Sequence, residues 1–350
     1  NPSNSRVQKL KKLYQISREL INEYGYGYFL RIAFEEFFTQ KGKLFSPDTI
    51  PQDIEDEFIL NYDDLLEHYN LEKNLSQSKI QSFSTLPLFS FVLFVDEESP
   101  PIKKILETQI YNNFEFVLVS SSEKHIDSFV SQNNISNFQK LVVNSPKIHD
   151  IMSVSKADYF TFLNNFSVIR SDFLFNIVNK INQNFLGDVY YCDEDFIDKH
   201  GKRINPFFKP DWSPYLLRSF NYIGNSFVIR KQLLDKLSNF VLNKNFHYNL
   251  MLHCAEISNK FVHVSIPCYS LLKTYTIDQT KVLSQHIERL GLNAKVGRGK
   301  AIGTLRVKYL LEDEPMVSII IPTKNNKSIL KRCIDSLENN TDYKNFEIII

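Results

Sequence analysis

The reading of the chain turns on Val317-Ser318-Ile319-Ile320-Ile321-Pro322-Thr323-Lys324-Asn325-Asn326, followed by Cys333-Ile334-Asp335-Ser336-Leu337 and Tyr343-Lys344-Asn345-Phe346-Glu347-Ile348-Ile349-Ile350. A short apolar run, a turn, a helix-length segment and a second apolar run describe strand, loop, helix, strand. The same order occurs earlier. Phe89-Ser90-Phe91-Val92-Leu93 matches the first run, and Tyr111-Asn112-Asn113-Phe114-Glu115-Phe116-Val117 matches the last. The spacing is 228 residues between Phe89 and Val317 and 232 between Tyr111 and Tyr343. An internal repeat of an α/β opening is the economical reading.

Working outward, Phe114–Val119, Leu141–Val143, Tyr159–Leu163 and Asp188–Cys192 are further short apolar runs with helix-length segments between them. Pro100-Pro101 opens a helix-like segment to Ile110. Asp198-Lys199-His200-Gly201-Lys202 is a tight turn joining two strands. Helices are expected near Lys231–Leu237 and Tyr248–Ser258, and a strand at Phe261–Ile266. Short buried strands alternating with helices predict an α/β fold, a mainly parallel central sheet flanked by helices on both faces. Before it, Val7, Leu10, Leu13, Tyr14, Leu20, Ile21 and Tyr24 recur at helical spacing, and Phe29–Phe38 resumes that pattern. Residues 46–86, with the acidic stretch Asp53–Asp64 and the Ser/Gln-rich stretch Ser76–Ser84, read as a linker. The expected organisation is a helical leader and linker (1–85), a complete domain (86–290), a hinge (291–314) and the start of a second domain (315–350). The chain opens on Asn1 and stops within an apolar run, so a piece of something longer is expected.

Composition narrows the function. Forty-one basic residues against forty acidic ones give a net charge of +1, which provides no global attraction for nucleic acid. Ten glycines in 350 residues argue against glycine-rich phosphate loops. No Gly-x-Gly-x-x-Gly follows a strand, and Gly297-Arg298-Gly299-Lys300 is a lone basic turn without the context of a Walker loop. Cys192, Cys254, Cys268 and Cys333 are scattered and indicate neither a zinc site nor a disulfide framework. No apolar run is long enough to span a bilayer, which favours a cytoplasmic setting. The leader could lie on the inner face of the plasma membrane or pack on the next domain.

The second copy, with its Pro322-Thr323 turn and Cys-Ile-x-Ser-Leu helix, resembles the opening of family 2 inverting glycosyltransferases, which have the GT-A fold and bind nucleotide-sugars. Asp188-Val189-Tyr190-Tyr191-Cys192-Asp193-Glu194-Asp195, Gly201-Lys202-Arg203, Pro206–Pro214 and Asn221-Tyr222-Ile223-Gly224 resemble the tandem-domain members of bacterial polysaccharide, O-antigen or rhamnan assembly. The segment from Leu290 through Gly303 to Tyr309 resembles their inter-domain hinge. The resemblance implies transfer of a hexose-like sugar from a nucleotide-sugar to a glycan acceptor, with Mg or Mn serving the second domain. It implies that Pro322 and Thr323 flank the donor nucleoside.

The first copy departs from that pattern. Where the family carries an acidic triplet that holds a divalent metal, the chain reads Asn164-Asn165-Phe166-Ser167, and amides do not supply anionic ligands. The acidic pair expected after Val119 is Ser120-Ser121-Ser122, and the Pro-Thr turn is Phe94-Val95-Asp96. The catalytic carboxylate position falls in Asn245-Phe246-His247-Tyr248-Asn249. His247 is the candidate base there, with a structural role as the alternative. The first domain is thus expected to be degenerate and metal-free. Asp193, Glu194 and Asp195 are candidates for contact with a sugar acceptor or a metal or, alternatively, a solvated strand end. Trp212, with Phe207 and Phe208, is a candidate sugar platform or a packed loop. Two functions follow: part of a glycosyltransferase, or a glycan-binding module without transferase activity.

Overall fold

The computed structural model describes Tyr62, Asp63, Leu65, Leu66 and Tyr69, and residues 76–350 apart from 105, 164–166, 244, 273–278 and 302. The helices expected over Val7–Tyr24 and Phe29–Phe38, and the Asn164-Asn165 substitution, lie outside the described residues. The Ser/Gln-rich stretch expected to be linker is instead docked: Ser76–Gln81 is a helix (α1), Phe83 stacks on Phe175 at 6.0 Å, and the backbone N–H groups of Ser84 and Thr85 donate to Asn182.

A nine-stranded sheet organises the domain, in the order β3-β2-β1-β4-β8-β6-β9-β5 with β7 beside β6. Its strands are β1 (Phe89–Phe94), β2 (Phe114–Ser120), β3 (Phe138–Val142), β4 (Tyr159–Leu163), β5 (Ser167–Ile169), β6 (Val189–Ile197), β7 (Arg203–Phe207), β8 (Phe227–Arg230) and β9 (Phe261–Leu271). The half from β3 to β4 is parallel, as the apolar runs predict, and β6 pairs β9 in parallel. Strand β8 runs against both β4 and β6, which makes the sheet mixed. The fold is that of a GT-A α/β domain, a curled central sheet flanked by helices.

Alternation along the strands sends side chains to two cores. Val92, Phe160, Phe162, Tyr191, Phe227 and Ile229 face one, packed under α3 (Ile148–Val154), α6 (Lys231–Asp235), α7 (Phe246–Ile257) and α8 (Thr280–Arg289). Phe91, Leu93, Tyr159, Tyr190 and Val228 face the other, under α2 (Glu123–Asn133) and α4 (Phe173–Asn182). The short α5 (Pro214–Leu217) closes the loop after β7, capped by Ser213. The helix expected from Pro100 to Ile110 is reduced to one 3-10 turn, Ile102–Lys104. Beyond it the N–H groups of Glu107 and Ile110 donate to Ile169 and Ser171, so the backbone pairs with the β5 region instead of with itself.

After α8 come a two-stranded hairpin, β10 (Ala294–Arg298) and β11 (Leu305–Tyr309), and then β12 (Val317–Ile320), α9 (Lys327–Asn340) and β13 (Phe346–Ile349). The sequence repeat reappears as a repeat of hydrogen bonds. Phe89 and Ser90 pair with Phe114 and Glu115, and Val317 and Ser318 pair with Phe346 and Glu347, in parallel both times. Tyr111 donates to the Pro87 carbonyl at 2.7 Å, and Tyr343 to the Pro315 carbonyl at 2.5 Å. Asn113 donates to the Leu86 carbonyl and Asn345 to that of Glu314. No helix among the described residues is long and apolar enough to cross a membrane.

Candidate functional site

Ligands of open α/β sheets bind beyond the carboxyl ends of the parallel strands. Pairing of Phe160 with Ile229, and of Ile229 with Val189, sets Leu163 level with Cys192. Asp193, Glu194 and Asp195 therefore begin one residue past the described end of β4, at the edge where a site is expected. At the end of β2 the Ser122 N–H donates to Ser120 Oγ, and Ser121 is exposed. Asp96 after β1 is exposed and accepts from the Glu98 N–H and the Ser99 hydroxyl.

The three consecutive carboxylates each face a different basic side chain. Asp193 Oδ1 lies 2.7 Å from His263 Nε2 and accepts the Lys209 N–H at 2.7 Å. Glu194 Oε2 accepts from Lys209 Nζ at 2.9 Å, and that ammonium also donates to the Ile223 carbonyl at 2.8 Å. Asp195 Oδ2 accepts from Arg203 Nε at 2.6 Å and from the Tyr62 hydroxyl, while Arg203 Nη2 holds the Pro267 carbonyl. Asp193, Asp195 and Lys209 are buried. Register shifts on both sides of β6, around Asp193–Glu194 against β9 and at Glu194–Phe196 against β7, turn neighbouring side chains toward separate partners. Gly224 permits the closure. Its φ is +65°, and a Cβ there would stand 2.8 Å from Glu194 Oε2.

This donor set does not suit Mg²⁺ or Mn²⁺. Such an ion needs several oxygens free to converge on it, and here each acid is matched to a lysine, arginine or histidine within the core. Asp195 Oδ1 is buried without a partner. Among the described residues no group of three His, Cys, Asp or Glu side chains could hold a metal.

The other sequence candidates are dispersed. His247 stands in the first turn of α7, stacked on Phe246 at 4.3 Å and edge-on to Phe227. Its Nε2 is closed off without a partner, and burial pushes its pKa down to about 4, against a smaller upward pull from the Phe162 backbone. An imidazole so weakly basic is poorly matched to proton abstraction near neutrality. Trp212 lies flat on Phe261, 3.8 Å between centroids and 6° between planes, which covers one ring face. Phe207 meets Phe220 edge-on and Phe208 meets Tyr62. Pro322 and Thr323 are exposed in the turn after β12, and Asn326 caps α9 by accepting from the Ile329 N–H.

The sequence reading did not single out His263 or Lys209. His263 stacks on Tyr191 at 5.1 Å and sits between Asp193 and, 3.5 Å from its Nδ1, Asp211. A histidine inside a strand has no local signature; only the pairing of β9 with β6 brings it to Asp193.

Residues 318–350 match the model of the family described as Glycosyl transferase family 2. The chain is 28% identical over 313 residues to the O-antigen biosynthesis protein RfbC of Myxococcus xanthus, covering 79% of this chain and 24% of that protein. It is 27% identical over 219 residues to an uncharacterized protein, y4gI, of Sinorhizobium fredii, covering 57% of this chain and 24% of the relative. The chain thus spans about a quarter of the length of the curated relatives it matches.

Proposed function

We propose that this chain, a family 2 glycosyltransferase by sequence, is part of a protein that transfers a sugar from a nucleotide-sugar to a bacterial cell-surface glycan. Residues 86–290 act in it as a non-catalytic GT-A scaffold, and the catalytic domain opens at residue 315. One observation carries the division of labour. The acidic run at the edge of the first sheet, Asp193–Asp195, is consumed by Lys209, Arg203 and His263. The copy that matches the family repeats the strand pairing of β1 and β2 and leaves Pro322 and Thr323 open on its turn.

In this reading Pro322 and Thr323 flank the donor nucleoside. Thr323 offers a hydroxyl, and the ring of Pro322 fixes the backbone leaving β12. A divalent ion bound in the second domain would neutralise the departing diphosphate. Displacement at the anomeric carbon with a carboxylate base would invert configuration, and that carboxylate belongs to the remainder of the second domain. The O-antigen relative supports a cell-surface glycan as acceptor and a cytoplasmic place of action, where nucleotide-sugars serve as donors. The paired carboxylates also support the narrower reading that the first domain binds or positions glycan without chemistry of its own.

Calorimetric titration of the chain with UDP-sugars in the presence of manganese tests the division. No metal-dependent binding is expected from residues 86–290. Tight metal-dependent binding that disappears in Asp193→Asn would overturn it.

A further inference from the structure

The basic turn Gly297-Arg298-Gly299-Lys300 lies within the segment that resembles an inter-domain hinge, and the fold gives it a definite place: it ends β10 and opens the tip of the β10–β11 hairpin. Residues 294–309 contain Lys295, Arg298, Lys300, Arg306 and Lys308 and no acidic residue. The register divides them. Ala294, Val296, Leu305 and Val307 form the inner row and pack on the core of the first domain. Lys295 lies directly opposite Lys308, and Arg306 opposite Gly297, so apart from that glycine the outer row carries only Lys295, Arg306 and Lys308. Lys295, Lys300, Arg306 and Lys308 are exposed, and none makes an ion pair among the described residues. Like charges placed directly across a ladder destabilise it, so the pairing of Lys295 with Lys308 costs the hairpin stability that an external anion would restore.

The ribbon is held firmly. Leu305 N–H donates to the Ser219 carbonyl at 2.7 Å, Leu310 N–H to that of Asn293 at 2.7 Å, and Arg218 Nη1 to the Tyr309 hydroxyl at 3.1 Å. At the tip Gly299 N–H donates to Thr304, where a Cβ on Gly299 would meet Thr304 Oγ1 at 2.1 Å. The neighbouring acids do not offset the outer row. Glu288 lies on the inner side with Ala294 and Val296, and Glu312 is tied to Asn293 at the base. Tyr309 ends β11 opposite Ala294, Leu311 follows it, and Arg218 links Tyr309 to Tyr215; all three of these apolar or aromatic side chains are exposed.

We propose that the outer face of the β10–β11 hairpin is a docking surface for an anionic phospholipid bilayer. The cations are spread along a two-stranded ribbon, about 7 Å between alternate residues, and do not converge on a pocket; this suits an extended layer of headgroup phosphates. Aromatic and apolar side chains beside a basic cluster are the composition of interfacial anchors. The residues of this face are not those of the proposed donor turn at Pro322-Thr323, so variants of docking and of sugar transfer can be made separately.

Flotation of the chain with phosphatidylglycerol-containing vesicles and with pure phosphatidylcholine vesicles tests the proposal. Binding to the anionic vesicles alone is expected, weakening as salt rises from about 0.1 M to about 1 M and the screening length falls from about 10 to about 3 Å. Each basic residue at such a surface contributes roughly fivefold in partitioning, so the combined Lys295→Gln, Lys300→Gln, Arg306→Gln and Lys308→Gln variant should lose roughly a few hundredfold. Neutralising four exposed lysines elsewhere, Lys124, Lys199, Lys281 and Lys324, should cost far less. Unchanged thermal unfolding of both variants keeps the comparison interpretable. No binding to anionic vesicles, equal losses in the two variants, or tighter hairpin-dependent binding of heparin or nucleic acid than of vesicles would each overturn the proposal.

Discussion

The Lys209 ammonium, with no solvent exposure, lies 2.9 Å from Glu194 Oε2. The ammonium cannot fall back on water and the Glu194 side chain is only 14% exposed, so the pair holds the loop after β7 against the bulged end of β6. Removing one partner strands the other. Lys209→Met should therefore destabilise the domain by roughly 3–5 kcal/mol, whereas Lys209→Met with Glu194→Leu should recover much of the loss. Chemical denaturation of the two variants checks this. Equal stability of the single and double variants would show that Glu194 needs no counter-charge.

Gly224 is the backbone counterpart of that pair. Its φ of +65° disfavours any side chain, and its missing Cβ leaves room for Glu194 Oε2. Gly224→Ala should cost about 1–3 kcal/mol, combining left-handed backbone strain with displacement of the carboxylate. Gly201, also at positive φ but with nothing within 4 Å of its added Cβ, is the control. Gly201→Ala should pay for the backbone alone, and unfolding midpoints should rank the two.

Much of the fold was legible because it is a matter of period and punctuation. Tyr159–Leu163 is a strand over its expected span, and the turn at Asp198–Lys202 joins β6 to β7. The repeat announced its own pairing through Tyr111 and Tyr343, which make the same hydrogen bond 232 residues apart. The candidate site was less legible. Asp193–Asp195 stood out as charge, but their meaning depends on Lys209, Arg203 and His263, which arrive from a loop and two other strands. For Trp212 the sequence leaves a sugar platform and a packed loop as alternatives, and only the fold puts its ring flat on Phe261. The run after Pro100 failed as a helix because tertiary pairing at Leu106–Ile110 claimed its backbone.

Acid should loosen the junction between α7 and α8. Glu256 accepts from His286 Nδ1 at 2.6 Å and from Arg289, and Arg218 Nε donates to His286 Nε2 at 3.3 Å. Burial pushes the Glu256 carboxyl up, but hydrogen bonds from His286 and Arg289, with the Arg289 charge, outweigh it and hold the pKa at about 2 against an ordinary 4.5. A depressed folded pKa means stability fully present above about pH 4.5 and lost as pH falls toward 2. Glu256→Gln should flatten that part of the acid limb while lowering stability at neutral pH. Parallel acid limbs for variant and parent would rule out this linkage.

The two copies of the repeat offer a comparison in which hydrogen bonds are held constant and burial changes. β1 with β2 and β12 with β13 share direction and register. Phe89, Ser90 and Phe91 are 0% exposed, whereas Val317 is 44% and Ile320 73% exposed. None of the residues of α9 is buried. A parallel pair of strands uncovered by other elements has little stability of its own, because main-chain hydrogen bonds compete with water unless apolar surface is removed along with them. Amide exchange of Ile319 and Ile320 should therefore be orders of magnitude faster than that of Phe91 and Val92, despite the same pairing. In the proposed reading these faces are covered by the remainder of the second domain, so in a longer protein carrying that domain the protection should rise toward that of β1. Equal, strong protection of both pairs in this chain alone would mean that the second copy is a self-sufficient unit, and residue 315 would no longer serve as the opening of a larger catalytic domain.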